Sequence, residues 1–431
     1  MLLLYNFLLY IGFLALLPRI ILQKEYRDTL RERLGHIPTP KPSNKKTVWL
    51  HCVSVGETQA ARPLVNQLIK ELPNHRLVIS TTTVTGQKLA RELFENQADM
   101  FFYFPLDFPF SVRRTLQRIK PEVILLMETE LWFNLINEAS KNGVKIFVVN
   151  ARLSEKSVRW YRLIKRTIKK ILRKIDLVMA QSETDAKRFR LLGVKEQNLI
   201  TTGNLKFDQS LNETEHNLSR YFADRFGIDE QNNLILAAST HDPEESWLIE
   251  AIKLLQNSSL SKSPRLMIAP RHPERFDSVA EQMKLSGFRF VRRSGLESPA
   301  DRNSTLILLD SIGELRSVMP LAKIVFVGGS LIPHGGQNIL EAAIAKKPIV
   351  TGFYTMNFQE IVNEFLKNNA LIQLPKLEKN TIPAALAEVF AKLLNDQLMR
   401  DKIAENAFKL MARSRGASIR SVEALKSRVV E

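Results

Sequence analysis

In this 431-residue chain the residues suited to chemistry fall just after apolar runs. Glu57 closes Ser54-Val55-Gly56-Glu57, directly after the run Thr47 to Val53. Beside a buried strand and near a helix start it would be partly desolvated, with its pKa moved towards neutrality, as a general base requires. An acid in a first helical turn is also favoured by the helix dipole alone, so both readings are open. Glu128 and Glu130 alternate in M-E-T-E-L-W; on a regular strand end they point opposite ways, and at most one should face a site. Lys206 follows Thr201-Thr202-Gly203, and Thr81, Asn150 and Arg152 occupy further strand ends.

A second set lies in the rear half. The apolar run Ile324 to Val327 precedes Gly328-Gly329, then Gly335-Gly336, Gln337 and Asn338, with a helix expected from about Ile339. Glycine lets the backbone turn sharply or approach a ligand, and a helix N-terminus presents unpaired N–H groups to an anion. Glu341, one turn in, can accept both hydrogen bonds of a ribose diol. An ordinary βα crossover uses glycine in the same places, so the stretch is either a nucleotide-sugar cradle or plain scaffold. Arg271, in Pro270-Arg271-His272-Pro273, is placed to meet a phosphate, and the backbone at Gly313 can approach a base or ribose. His241 and His272 read as capping or structural side chains.

The elements that must position these residues alternate. Strands are expected over Thr47–Val53, Leu77–Ser80, Met100–Tyr103, Val123–Met127, Lys145–Val149 and Leu177–Ala180, with helical patterns between them. A second series comprises Leu234–Ala238, Arg265–Ala269, Thr305–Leu309, Ile324–Val327, Ile349–Val350 and Leu371–Ile372, closed by helices Ile382–Leu394 and Leu398–Ala412. Such alternation implies doubly wound parallel sheets, whose ligands gather at the carboxyl ends of strands. The expected organisation is an anchor over residues 1–22, a Rossmann-like domain over 23–210 and a second over 211–431, the last helices able to pack back on the first domain.

Composition narrows the partners. The 62 Lys+Arg against 45 Asp+Glu give a formal charge of +17, which attracts acidic partners: nucleic acid, anionic lipid or phosphorylated substrates. A single cysteine, Cys52, excludes an internal disulfide and, with no H-E-x-x-H or Asp-x-Asp, leaves no metal site to expect. Met1 to Pro18 carries no charged side chain and is followed by Arg19, Lys24, Arg27, Arg31 and Arg33. This predicts a spanning or deeply inserted helix with the rest of the chain cytoplasmic; a helix lying in the interface is the alternative. Lys156 to Lys174 holds nine basic residues and no acid, with Trp160, Leu163, Ile164, Ile168 and Ile171 on one side of a helical wheel. A basic amphipathic helix suits a membrane surface or a phosphorylated lipid, and equally a solvated helix on the sheet.

Several strings in order resemble the 3-deoxy-D-manno-octulosonic acid (Kdo) transferases of lipopolysaccharide biosynthesis, within the glycosyltransferase B superfamily. They are Ser54-Val55-Gly56-Glu57, Met127-Glu128-Thr129-Glu130-Leu131-Trp132, Asn150-Ala151-Arg152-Leu153-Ser154, Gly203-Asn204-Leu205-Lys206-Phe207-Asp208, Pro270-Arg271-His272-Pro273-Glu274-Arg275-Phe276 and Phe326-Val327-Gly328-Gly329-Ser330. Phe133 and Ile339 depart from the family pattern, which has proline at both places. The resemblance implies an α/β fold of two Rossmann-like domains facing across a cleft. It implies an inverting glycosyltransferase of the inner membrane, its catalytic domains on the cytoplasmic face, moving Kdo from CMP-Kdo to a lipid A precursor, without cofactor or metal. Carried over, Glu57 is the base, and Glu128 and Lys206 stabilise the transition state. CMP contacts fall on Pro270, Arg271, Ile312, Gly313, Glu314, Asn338, Ile339, Leu340 and Glu341. Anionic inner-membrane lipid is an expected partner and nucleic acid is not. A UDP-sugar-dependent B-type transferase or epimerase is the rival.

Overall fold

Valine, isoleucine and leucine runs become strands covered on both faces, as parallel sheets flanked by helices require. The computed structural model describes residues 2–208, 213–229, 232–256 and 262–429. It divides into a unit of residues 1–209 with 414–431 and a unit of residues 210–413. The expected boundary at 210–211 lies outside the described residues.

The first unit holds β1 (Lys46–Cys52), β2 (His75–Thr81), β3 (Met100–Tyr103), β4 (Val123–Met127), β5 (Lys145–Ala151), β6 (Leu177–Ala180) and β7 (Leu199–Thr201). Their order is β3-β2-β1-β4-β5-β6-β7, every pair parallel. The chain winds outward both ways from the β1/β4 junction, the switch point where such sheets place ligands. One face of the sheet buries Trp49, Phe102, Phe147's neighbours on β5 and Phe189, and the other buries Leu50, Ile79 and Phe94. The helix Ala417–Val429 joins this second layer through Val422 and Leu425. Asp208 caps it, accepting from the Gly416 and Ser418 amides at 2.6 Å each, and Lys426 pairs with Glu71 at 2.8 Å. The second domain expected over 211–431 therefore gives up its last residues to the first unit.

The second unit repeats the plan with β8 (Leu234–Thr240), β9 (Arg265–Pro270), β10 (Phe290–Arg292), β11 (Leu306–Leu308), β12 (Ile324–Val327), β13 (Ile349–Thr351) and β14 (Ile372–Gln373). Its order is β10-β11-β9-β8-β12-β13-β14, again parallel throughout, with the switch point at β8/β12. The three-residue strands β7 and β10 were not expected, being too short to show a hydrophobic period.

Two expectations are corrected. Among the described residues no helix is long and apolar enough to cross a membrane, so the spanning anchor falls. The helix Leu2–Leu22 instead lies against its own unit. The Tyr5 hydroxyl donates to Asp107 at 2.8 Å, Asn6 accepts from Asn134 at 2.6 Å, and Tyr10 stacks on Phe108 with ring centres 4.7 Å apart. These contacts hold the stretch from Tyr5 to Phe13 against the first unit. Its other face leaves Leu3, Leu4, Phe7, Leu8, Ile11 and Leu14 exposed. The basic stretch is not one helix either: it breaks at Ile164 into Glu155–Leu163 and Lys165–Leu172. Ile168 and Ile171 are buried as the wheel predicted, but Trp160, Leu163 and Ile164 point outward, because the break turns them off the common stripe.

Candidate functional site

In the first unit the chain leaves β1 at Cys52 and enters the short helix Val55–Ala60. Ser54 is extended and caps that helix; its hydroxyl donates to Glu57 Oε1 at 3.2 Å, and the Val53 amide donates to Glu57 Oε2 at 2.7 Å. This reciprocal cap satisfies orphan helix donors and fixes the Glu57 carboxylate in place. The structural reading of Glu57 is therefore correct, and it does not compete with the chemical one. Glu57 is buried, and that burial, reinforced by the charges of Glu128 and Glu130, pushes its pKa up to about 8 against the bonds from Val53 and Ser54. Once ionised, a carboxylate so placed can take a proton from a hydroxyl.

Glu128 does not continue β4. It adopts a left-handed backbone with φ of 56° while its amide donates to the Val149 carbonyl at 2.9 Å. Asn150 at the end of β5 is left-handed too, with φ of 55°. Such conformations cost non-glycine residues about 1–3 kcal/mol and persist where surrounding structure enforces them. Strand alternation therefore fails here: Glu128 and Glu130 both bear electrostatically on Glu57, and burial followed by the Glu128 charge raises the Glu130 pKa. The expectation that at most one of the two would face a site fails for that reason, and sequence reasoning missed Tyr161, whose hydroxyl pKa is raised by burial and by Glu130. Lys206 Nζ lies 3.8 Å from Glu128 Oε1 and supplies the compensating charge. Asn150 Oδ1 accepts from the Leu205 amide at 2.9 Å and so holds the Lys206 turn against β5. Thr81 is spent in the core, donating to Gln87 at 2.6 Å. The first unit thus gathers three carboxylates and one ammonium at its switch point.

In the second unit the residues expected to meet a nucleotide also sit at strand ends. Pro270 ends β9, and the amide of exposed Arg271 donates to the Thr240 carbonyl at 3.0 Å. Gly313 has φ of 87° and open space where a side chain would project, so a ligand can approach its backbone. Exposed Ile312 flanks it, while the Glu314 carboxylate is held by Arg293 through two bonds of 3.0 Å. Gly335, by contrast, is filled by protein: a Cβ there would meet Asn357 at 2.5 Å. The helix expected from Ile339 is only Leu340–Ile344. Ile339 and Leu340 are core side chains, leaving only their backbone for a ligand. Asn338 accepts from the Leu340 amide at 3.2 Å. The Glu341 carboxyl is pushed up by burial, a shift opposed first by Arg316 and in lesser part by Arg271. A carboxylate flanked by guanidinium groups and open backbone suits a ribose and a phosphate.

Sequence reasoning missed the part played by Glu244. Its buried carboxylate accepts from the amides of Gly329 at 2.6 Å, of Ser330 and Leu331 at 3.0 Å each, and of His241 at 3.0 Å. It clamps the loop after β12 to the turn after β8. The signal available was an acid three residues beyond His241 at a helix start. Among the described residues no cluster of His, Cys, Asp and Glu is arranged to hold a metal ion.

Comparison with known proteins gives the family. Residues 28–209 match the family described as 3-Deoxy-D-manno-octulosonic-acid transferase (kdotransferase). A 3-deoxy-D-manno-octulosonic acid transferase of Haemophilus influenzae is 35% identical over 93% of this chain and 91% of its own length. Its counterpart from Bordetella pertussis is 33% identical over 88% and 86%. A solved glycosyltransferase from Rickettsia africae shares the fold at 14% identity, with a TM-score of 0.57 over 90% of this chain and 100% of that one. The two parallel-sheet α/β units therefore resemble B-type glycosyltransferases, and the chain belongs to the Kdo transferases, a family of glycosyltransferases.

Proposed function

We propose that this chain moves Kdo from CMP-Kdo to a lipid A precursor with inversion at the anomeric carbon, and that Glu57 is the general base. The observation that carries this reading is the Glu57 carboxyl, oriented by its cap and raised to about 8 beside Glu128 and Glu130. Ionised, it removes the proton from an acceptor hydroxyl as that oxygen bonds to the anomeric carbon. The bond from that carbon to the CMP phosphate oxygen breaks, and CMP departs with the electron pair. Positioned proton transfer of this kind contributes ~10²–10⁴-fold. Glu128 and Lys206 form an ion pair beside the base, and the Lys206 ammonium can balance charge developing on the donor. In the second unit Arg271 meets the phosphate, Glu341 the ribose diol, and the backbone from Ile312 to Glu314 the cytosine.

The reading places the enzyme on the cytoplasmic face of the inner membrane without a spanning segment. The exposed apolar face of Leu2–Leu22 and the exposed Trp160, Leu163 and Ile164 among basic residues suit an anionic bilayer surface. The test is mass spectrometry of products from CMP-Kdo and a lipid A precursor. The expected product is the precursor enlarged by Kdo with release of CMP; an unchanged precursor would overturn the reading. Thermal shift with CMP and with UDP separates it from its rival, since stabilisation by UDP alone would favour a UDP-sugar enzyme.

A further inference from the structure

Polar side chains close around Gly329 at the second unit's switch point. His241 Nδ1, His334 Cδ2 and Gln337 Nε2 each lie 3.4 Å from where a Cβ on Gly329 would stand. The His241 ring is 4.0 Å from that of His334 and 5.3 Å from that of His272, centre to centre. His241 is 7% exposed, and neither of its ring nitrogens finds a hydrogen-bond partner. The Ser239 carbonyl is near enough to favour the protonated ring slightly but lies outside bonding geometry. A buried donor left unpaired is costly and rare, so such a group is expected to be used.

The surroundings define what could use it. Each acid of this turn is already engaged: Glu244 by four backbone amides, Glu245 by the Thr240 hydroxyl and Arg275, and Asp242 by Arg275 at 3.4 Å. The other groups bearing on the imidazole are His334, His272 and Arg275, which disfavour a second positive charge; with burial as the first cause, they push its pKa down to about 4. The ring is thus neutral near pH 7 and offers one N–H in a setting rich in donors.

We propose that His241, with the Gln337 amide and His334, forms an oxyanion subsite of the second unit that binds a phosphate or carboxylate oxygen of the donor. The assignment of that oxygen to a donor rests on the function proposed above; the anion site itself does not. It differs in kind from the contacts of Arg271 and Glu341, because a neutral, preoriented N–H discriminates by geometry rather than by net charge. Glu244 is its positioning residue, holding the His241 backbone and the Gly329 turn to one carboxylate.

The test uses the full chain, His241→Ala and His241→Asn, with binding of cytidine, CMP and free Kdo measured by calorimetry. If the oxygen is a phosphate oxygen, His241→Ala weakens CMP roughly tenfold to a hundredfold, the range for one hydrogen bond to a charged group, and leaves cytidine unchanged. If it is the sugar carboxylate, CMP is unchanged and Kdo is weakened by the same factor. His241→Asn, which keeps an N–H, should recover part of the loss. Ring-nitrogen NMR of the wild type with inorganic phosphate reads the subsite without any variant: the His241 signals should shift as the ion is added. Unaltered affinity for both CMP and Kdo, with unmoved His241 signals, overturns the proposal. A wild type that binds phosphate at His241 but not cytidine nucleotides would instead sink the donor assignment alone.

Discussion

Lys206 Nζ stands 3.8 Å from Glu128 Oε1, and the carboxylate it pairs with is the leading charge acting on Glu57. Base and ion pair are therefore one electrostatic unit. The charge of Glu128 keeps Glu57 protonated to higher pH. Glu128→Gln removes this charge, so the Glu57 pKa should fall and the rising limb of the pH–rate profile should move to lower pH. Maximal turnover should drop as well, through loss of the ion pair. A limb that stays in place would detach Glu128 from the base.

Glu57→Gln keeps the side chain's shape and the acceptor for the Val53 amide, yet cannot take a proton. Turnover should fall at least a hundredfold, by the general-base range of ~10²–10⁴, with CMP affinity little changed. Near-full activity would place the base elsewhere.

The same substitution carries a stability signature. Glu57 titrates at about 8 when folded against 4.5 for the free side chain. Between those values the native chain keeps a proton that the unfolded chain has released, so stability falls as pH rises through the window. Glu57→Gln should therefore melt higher than wild type above pH ~8, with the difference shrinking towards pH ~4.5. Parallel melting curves across that range would show the carboxyl to be solvated.

Glu244→Ala strands four buried amides. Bonds to a charged acceptor are worth about 1.5–3 kcal/mol each and are not additive within one carboxylate, so a loss on the order of 3 kcal/mol is expected. Denaturant unfolding measures it. Glu244→Gln should lose less, because its amide oxygen still accepts. A loss below ~0.5 kcal/mol, the size of an ordinary surface change, would mean the loop is held by packing alone.

Arg159, Arg162 and Arg166 lie on either side of the break at Ile164, beside exposed Leu163. Changing all three to glutamate should weaken sedimentation with anionic liposomes, and added salt should weaken the wild type in the same direction. Unchanged partitioning would reduce these helices to scaffold.

Much of this was written locally in the chain. Apolar runs of four to seven residues named most of the central strands, because burial on both faces leaves no polar period to confuse. Ser54-Val55-Gly56-Glu57 marked an acid in a first helical turn, since strand end and helix start lie within a few residues of each other. Tertiary structure decided what depends on distant neighbours. The left-handed turn at Glu128 is fixed by β5, and it turns two carboxylates expected to diverge onto one base. The buried clamp of Glu244 needs β12, more than eighty residues away. The helix Ala417–Val429 belongs to the first unit because Asp208 caps it. The face that Leu2–Leu22 shows to solvent is whatever Tyr5, Asn6 and Tyr10 do not dock. Periodicity and caps are short-range signals carried by neighbouring residues; desolvation and charge coupling sum over everything the fold brings near, and no local string encodes that sum.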